Sequence, residues 1–152
     1  ISTTGMVPAV VALDEAHLPL RRAILQSDAR AVEEIGAVAR KLASFDPVTT
    51  TGSAVSQQSV APTLLWLQAN ESELWSRTRL IVGSYDWVLM RLGARPHVER
   101  NWALESGLFT VGGERFGEAF AVAQIDGGMI PEVVEPGTIV GVLSGEMAER
   151  MG

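Results

Sequence analysis

Residues 9–25, AVVALDEAHLPLRRAIL, are the stretch on which the reading of this chain turns. Ala9 to Leu13 is a short apolar run of the kind that forms a buried strand. Asp14-Glu15-Ala16-His17 is polar and turn-like. Leu18-Pro19-Leu20 and Ala23-Ile24-Leu25 then read as returning extended segments, so the stretch predicts a hairpin. Directly after it, Val32, Ile35, Val38, Ala39 and Leu42 recur at three- and four-residue spacing, which predicts an amphipathic helix. Ser27 or Asp28 can cap its start, Glu33 and Glu34 sit near the positive end of its dipole, and Arg40 and Lys41 near the negative end. The helix should stop before Pro47.

Further elements follow in alternation. Thr49 to Ser59 (TTTGSAVSQQS) is rich in Ser, Thr and Gln without charge and reads as loop. Pro62 suits the first turn of a helix carrying Leu64, Leu65 and Leu67. Asn70-Glu71-Ser72-Glu73 has the spacing of a capping box, so a second short helix is expected at once. Leu80-Ile81-Val82 reads as a buried strand. Ser84 is expected to cap a helix running to Leu92, with Gly93 as its stop. Phe116 to Ile125 predicts an amphipathic helix, Thr138 to Leu143 a strand, and Ser144 the cap of a last helix containing Met147. Helices alternating with short apolar strands give an α/β class. There is no internal repeat.

Composition narrows the function. The chain has 152 residues, 47% hydrophobic and 20% charged, enough for one domain with a sizeable core. A net charge of −6 with scattered Lys and Arg argues against a nucleic-acid groove. The absence of cysteine excludes disulfides and Cys-ligated metals, and fits a cytoplasmic location. No apolar run approaches the roughly 20 residues of a membrane helix. There is no GxxxxGK[ST] loop and no GxGxxG. The glycine pairs 112–113 and 127–128 read as turns. His17 and His97 are far apart in sequence, which disfavours a His-based metal site or triad; both are expected as solvated loop residues. Trp66, Trp75, Trp87 and Trp102 suit sugar stacking or core packing, and apolar neighbours on three of them favour packing.

The order of several segments resembles the FGGY-family carbohydrate kinases, xylulokinase-like members in particular. STTGMVP (2–8) followed by AVVALD and LPLRRAILQSDAR (18–30) is similar to the family's turn, strand ending in Asp, and "PL-R-x-A-I-L-W-x-D-x-R" segment. SVAPTLLWLQANESELW (59–75), RLIVGSYDWVLMRLGA (79–94) and IPEVVEPGTIVGVLSGEMAERMG (130–152) continue the similarity in order. The resemblance implies an actin-like, RNase-H-like fold, truncated here at both ends. It implies that residues 1–152 are part of an N-terminal, sugar-binding domain. The phosphate-contacting strand is then expected before residue 1, and the ATP-binding domain and the catalytic Asp beyond Gly152. ATP and Mg²⁺ are the implied cofactors, a sugar or polyol the implied partner, and a homodimer is compatible. This piece alone is expected to be inactive and poorly soluble.

The resemblance also implies site residues. Met6, Val7 and Pro8 occupy the turn that touches substrate in the family. A family His becomes Pro8 and a family Arg-Glu pair becomes Val7-Pro8, so polar contacts are lost. Gln26 stands where the family has Trp. Asp28 and Arg30 are retained, and each has a structural reading: Asp28 as the helix cap, Arg30 as a carboxylate partner that fixes the loop. Gln58, beside Gln57, stands where some members place a substrate-contacting Tyr; uncharged amides on a loop suit hydroxyl recognition. Thr63 replaces a family Lys. Asp86 matches a family Asp, for which a place at a helix N-terminus is sufficient explanation. The implied function is the sugar-binding portion of an ATP-dependent kinase acting on a ketopentose or related hydroxyl. The altered pocket keeps a second reading open, a non-catalytic sugar-binding or regulatory domain.

Overall fold

The computed structural model describes residues 1–151 and has the expected mixed α/β character. Strand β1 (Val11–Leu13) is buried on both faces, as its unbroken apolar run requires. It pairs antiparallel with β2 (Leu80–Val82) in the register Val11–Val82, Ala12–Ile81, Leu13–Leu80. On the β1 side the hairpin forms as predicted, through isolated pairings of Leu13 with Pro19 and Val10 with Ile24. Asp14 shapes its turn by accepting the amides of Ala16 and Leu18 at 2.9 Å. A second small sheet pairs β3 (Val98–Glu99) in parallel with β4 (Val133–Val134).

The helices are α1 (Val32–Leu42), α2 (Pro47–Thr51), α3 (Val60–Asn70), α4 (Ser72–Arg77), α5 (Ser84–Leu92), α6 (Arg100–Glu105), α7 (Gly117–Ala123) and α8 (Gly145–Met151). Helices α1, α3 and α7 pack on one another. Their inner side chains, with Val11, Leu13, Ile81 and Val82, make one continuous core that includes Val38, Leu64, Leu67 and Phe120. Helix α3 is central, and Val60 to Leu64 and Leu67 are all buried.

All four tryptophans lie on helices. Trp66, Trp75 and Trp87 pack against the core, and Trp102 is fully buried within it. The Trp102 indole N–H donates to the carbonyl of Ala9 at 2.7 Å. That bond ties α6 to the approach of β1, 93 residues away in sequence.

The structure corrects several local expectations. Asp28 does not cap α1; Ala31 stands at the N-cap and no side chain bonds there. Ser84 is the first residue of α5, with Gly83 at its N-cap. The capping box at 70–73 does not form, because Asn70 donates back to the Trp66 carbonyl at 3.0 Å and ends α3 instead. Pro47 starts α2 with Asp46 as its cap, so the first part of the Thr49–Ser59 segment is helical. The 138–143 segment is no strand. It runs beside the exit of α5 on a few bonds, Arg95 N–H to the Val140 carbonyl and Ser144 N–H to the Leu92 carbonyl, each 3.0 Å. Ile139 and Val142 remain 84% and 81% exposed, so its apolar alternation does not translate into burial. Ser144 does cap α8, accepting from Met147 N–H at 3.3 Å.

Two substitutions test this packing. Trp102→Phe keeps an aromatic ring but orphans the buried Ala9 carbonyl, and is expected to lower stability by about 1–3 kcal/mol in chemical denaturation. Gly93 ends α5 at φ +117°, and a Cβ there would strike the Val142 carbonyl and stand 2.9 Å from Ser144 N. Gly93→Ala is therefore expected to cost more than about 1 kcal/mol, with the loss centred on the 138–144 segment in hydrogen exchange.

Candidate functional site

Met6, Val7 and Pro8 lie on the approach to β1, and Gln26 follows the segment that pairs with that approach. Met6 is exposed, Val7 half-buried and Pro8 buried, with a cis bond between Val7 and Pro8. Val10 and Ile24 exchange both backbone hydrogen bonds, at 2.8 and 2.9 Å. Beyond this pair residues 7–8 form a bend and the chain turns at 26–27, the Asp28 amide donating to the Leu25 carbonyl at 3.0 Å. Gln57 reaches this turn from the loop before α3, and its side-chain amide donates to the Gln26 carbonyl at 3.4 Å. Gln57 and Gln58 are both exposed, and the Gln58 backbone is held by the Ser56 hydroxyl at 3.2 Å. Gln26 and the 57–58 loop thus meet, while Val7 faces a concavity that it shares with Tyr85, and Gln58 a small cleft that it shares with Val38 and Ser106.

Asp28 and Arg30 are occupied by each other. Asp28 Oδ1 accepts from Arg30 Nε at 2.8 Å and from the Arg30 amide at 3.0 Å, while Oδ2 accepts from Nη2 at 2.7 Å. This two-pronged fork holds the Asp28 carboxyl below its ordinary range. Arg30 also lies over the Trp66 ring, 4.9 Å from its centroid, and near Glu71, which pairs with Arg21 as well. The cluster braces the 26–31 turn against the end of α3. Arg30→Lys keeps the charge but loses the fork and the stacking; it is expected to destabilise the protein by about 1 kcal/mol, measured by thermal or chemical denaturation.

A second feature escaped the sequence reading. Asp86, in the first turn of α5, is fully buried, and so is His97, just before β3. His97 is not the solvated loop residue expected. Its Nδ1 lies 2.8 Å from the Arg95 carbonyl, and its Nε2 lies 3.6 Å from Asp86 Oδ1. Asp86 Oδ1 accepts from the Glu99 amide at 3.1 Å, whereas Oδ2 has no partner. Burial pushes the Asp86 carboxyl up to about 7, with the Glu99 charge adding to the rise and backbone donors opposing it. Next to it the Tyr85 hydroxyl donates to Glu99 Oε2 at 2.9 Å, and burial raises this phenol above its usual range. Tyr85, Asp86 and His97 line an open concavity of about 690 Å³ between residues 1–5, α5 and the 134–143 segment. Asp86 was visible only as a helix-end acid. Its burial follows from the pairing of β2 and the packing of α6, which no local pattern encodes.

Among the described residues no group of His, Asp or Glu stands together in a way that would hold a metal ion. Among the described residues no helix is long and apolar enough to cross a membrane.

Comparison with known proteins bears on this geometry. The model of the FGGY family of carbohydrate kinases, N-terminal domain, matches residues 1–152. A xylulose kinase of Lactococcus lactis is 29% identical over 151 residues, which is 99% of this chain and 30% of that protein. One of Staphylococcus xylosus is 24% identical over 153 residues. The structure of a xylulose kinase from Rhodospirillum rubrum superposes with a TM-score of 0.92 at 33% identity, covering 98% of this chain and 31% of that one. A Plasmodium falciparum glycerol kinase with ADP, at 20% identity and a TM-score of 0.85, shares the fold. The chain thus spans about 30% of the length of the curated relatives it matches. The matched model extends over the whole chain, and the likeness in structure extends over nearly all of it. The chain belongs to the FGGY family of carbohydrate kinases and corresponds to its N-terminal domain, with the actin-like fold of those enzymes.

Proposed function

We propose that this chain is the sugar-binding portion of an ATP-dependent carbohydrate kinase that phosphorylates a hydroxyl of a ketopentose or a related sugar or polyol. The observation that supports the reading is the meeting of the loops that carry Gln26 and Gln57, the Gln57 side-chain amide donating to the Gln26 carbonyl at 3.4 Å. The relatives named xylulose kinases support the ketopentose class.

The Gln26 and Gln57 loops suit an uncharged polyhydroxy ligand. The Gln57 and Gln58 amides each carry donors and an acceptor, so either reads a hydroxyl in both directions. Val7, with Met6 beside it, offers an apolar surface to the carbon face of a sugar, and the buried Pro8 holds that turn in place. Asp28 and Arg30 act one step back, by fixing the turn that carries Gln26. With both oxygens in the Arg30 fork and its proton affinity lowered, Asp28 is a poor proton acceptor for a sugar hydroxyl. The part of this chain is to bind and orient. ATP with Mg²⁺ would supply the phosphoryl group and its charge neutralisation. Among the described residues no cluster of His, Asp or Glu fits the metal.

The test is sugar-dependent ADP release by the protein that carries this chain in full, over a panel of pentuloses and polyols. Turnover with at least one member is expected. Gln57→Ala and Gln58→Ala are expected to raise KM by roughly 2- to 10-fold each with a smaller change in kcat, the worth of a neutral hydrogen bond. Sugar binding without sugar-dependent ADP release would replace the kinase by a non-catalytic binding domain. Neither binding nor turnover with any member would overturn the reading.

A further inference from the structure

We propose that Asp86 and His97 hold one buried proton between them, and that this proton sets the seat of the Thr3–Ala9 segment, making the pair a pH-responsive positioning device behind the 6–8 turn. Only the description of that turn as a substrate contact rests on the proposed function; the device stands on its own geometry.

The tautomer follows from the contacts. A carbonyl oxygen only accepts, so His97 Nδ1 must carry the hydrogen that meets the Arg95 carbonyl at 2.8 Å. A neutral His97 therefore turns the lone pair of Nε2 toward Asp86 Oδ1, 3.6 Å away. An ionised Asp86 would then face a lone pair inside the protein, with its Oδ2 unpartnered. One proton relieves this, whether it sits on the carboxyl or on Nε2.

No other cation is at hand. Among the described residues, His97 is the sole side chain within ion-pair distance of Asp86. The other groups facing it are acidic or neutral. From α5 there is the Tyr85 hydroxyl, from the residue before that helix the Gly83 amide, which opposes the rise, from β3 the Glu99 amide and carboxylate, and from α6 the Trp102 indole. Glu99 is itself engaged, receiving the Tyr85 hydroxyl at 2.9 Å and the Asn101 amide at 3.0 Å. Arg95 and Arg100 are turned to Glu132 and Glu135.

The pair reaches the 3–9 segment through Trp102. A Cβ placed on Gly83 would stand 2.5 Å from Asp86 Oδ2 and 2.8 Å from Trp102 Cδ1, so carboxyl and indole crowd the same glycine. Trp102 in turn holds the Ala9 carbonyl. On the other side of Asp86, the Tyr85 carbonyl accepts the Thr3 hydroxyl at 3.0 Å, and Gly5 lies against the Tyr85 ring. Asp86 thus lies between the two anchors of the segment that delivers Met6, Val7 and Pro8. Its folded-state value, raised to about 7 from 3.8, gives the direction. Between these values the folded Asp86 carboxyl keeps a proton that the same carboxyl has lost in the unfolded chain. The contribution of this carboxyl alone is fully present below 3.8 and is lost as pH rises through about 7.

The experiment follows the Trp102 indole N–H resonance, assigned by its loss in Trp102→Phe, in the protein carrying this chain in full. It is expected to shift between about pH 5 and pH 9 with a midpoint near neutrality, and to stay flat in Asp86→Asn, which mimics the neutral carboxyl. A flat wild-type resonance, or an unchanged titration in Asp86→Asn, would overturn the proposal. If Asp86→Asn does not fold, the His97 ring-nitrogen shifts of the wild type decide. A common midpoint with the indole supports the shared proton, and an independent one contradicts it. A positioning role further predicts that sugar KM changes through the same midpoint, which a purely structural pair would not produce. Loss of ADP release altogether would defeat the kinase reading while leaving the indole titration to decide the device.

Discussion

The carbonyl of Ala9 has to be satisfied inside the core, and the Trp102 indole is what satisfies it. A buried carbonyl without a partner costs free energy comparable to a lost hydrogen bond. This one stands just outside the strand pairing that would normally absorb it. Trp102 is itself fully buried, so the bond can form only when α6 is seated against β1. The seating of α6 in turn brings Glu99 over Asp86, and Glu99 binds both the Asp86 carboxyl, through its amide, and the Tyr85 hydroxyl. One donor–acceptor pair therefore fixes the entry to β1, the start of α5 and the end of β3 together.

The candidate sugar site inherits its geometry from this anchor. The chain leaves Ala9 toward Pro8, Val7 and Met6, and Gln26 lies two residues beyond the Val10–Ile24 pair. The 57–58 loop reaches Gln26 because α3 is held in the core by Val60 to Leu64. The Asp28–Arg30 fork stiffens the turn between Gln26 and α1. Rigid elements thus position polar side chains on loops, the usual division of labour in a small-molecule site.

Much of this was legible in the sequence. The apolar run 9–13, the 80–82 strand and the spacing of Val38 and Leu42 name the elements, because burial on these faces follows local periodicity. The order of segments pointed to the family. What failed was whatever depended on neighbours distant in sequence. Asn70 and Ser72 look like a cap, yet Asn70 spends its amide on Trp66. The alternation over 138–143 looks like a strand, yet the segment has a single isolated bridge, Gly141 with Ala94, and two of its apolar side chains face outward. His97 looks like a loop histidine, yet the β3–β4 pairing buries it beside Asp86. Gln57 stands out in the sequence only as a companion of Gln58, because its bond to the Gln26 backbone depends on how two loops meet.

The central claim is that a sugar is held by Val7, Gln26, Gln57 and Gln58. A structure of the protein carrying this chain in full, with its best pentulose or polyol bound, tests that claim most directly. The account predicts a sugar hydroxyl within about 3 Å of a Gln57 or Gln58 amide, and sugar carbons packed on Val7. A sugar that touches neither Gln57 nor Gln58, seated instead in the concavity between α5 and the 134–143 segment that Val7 also lines, would contradict it.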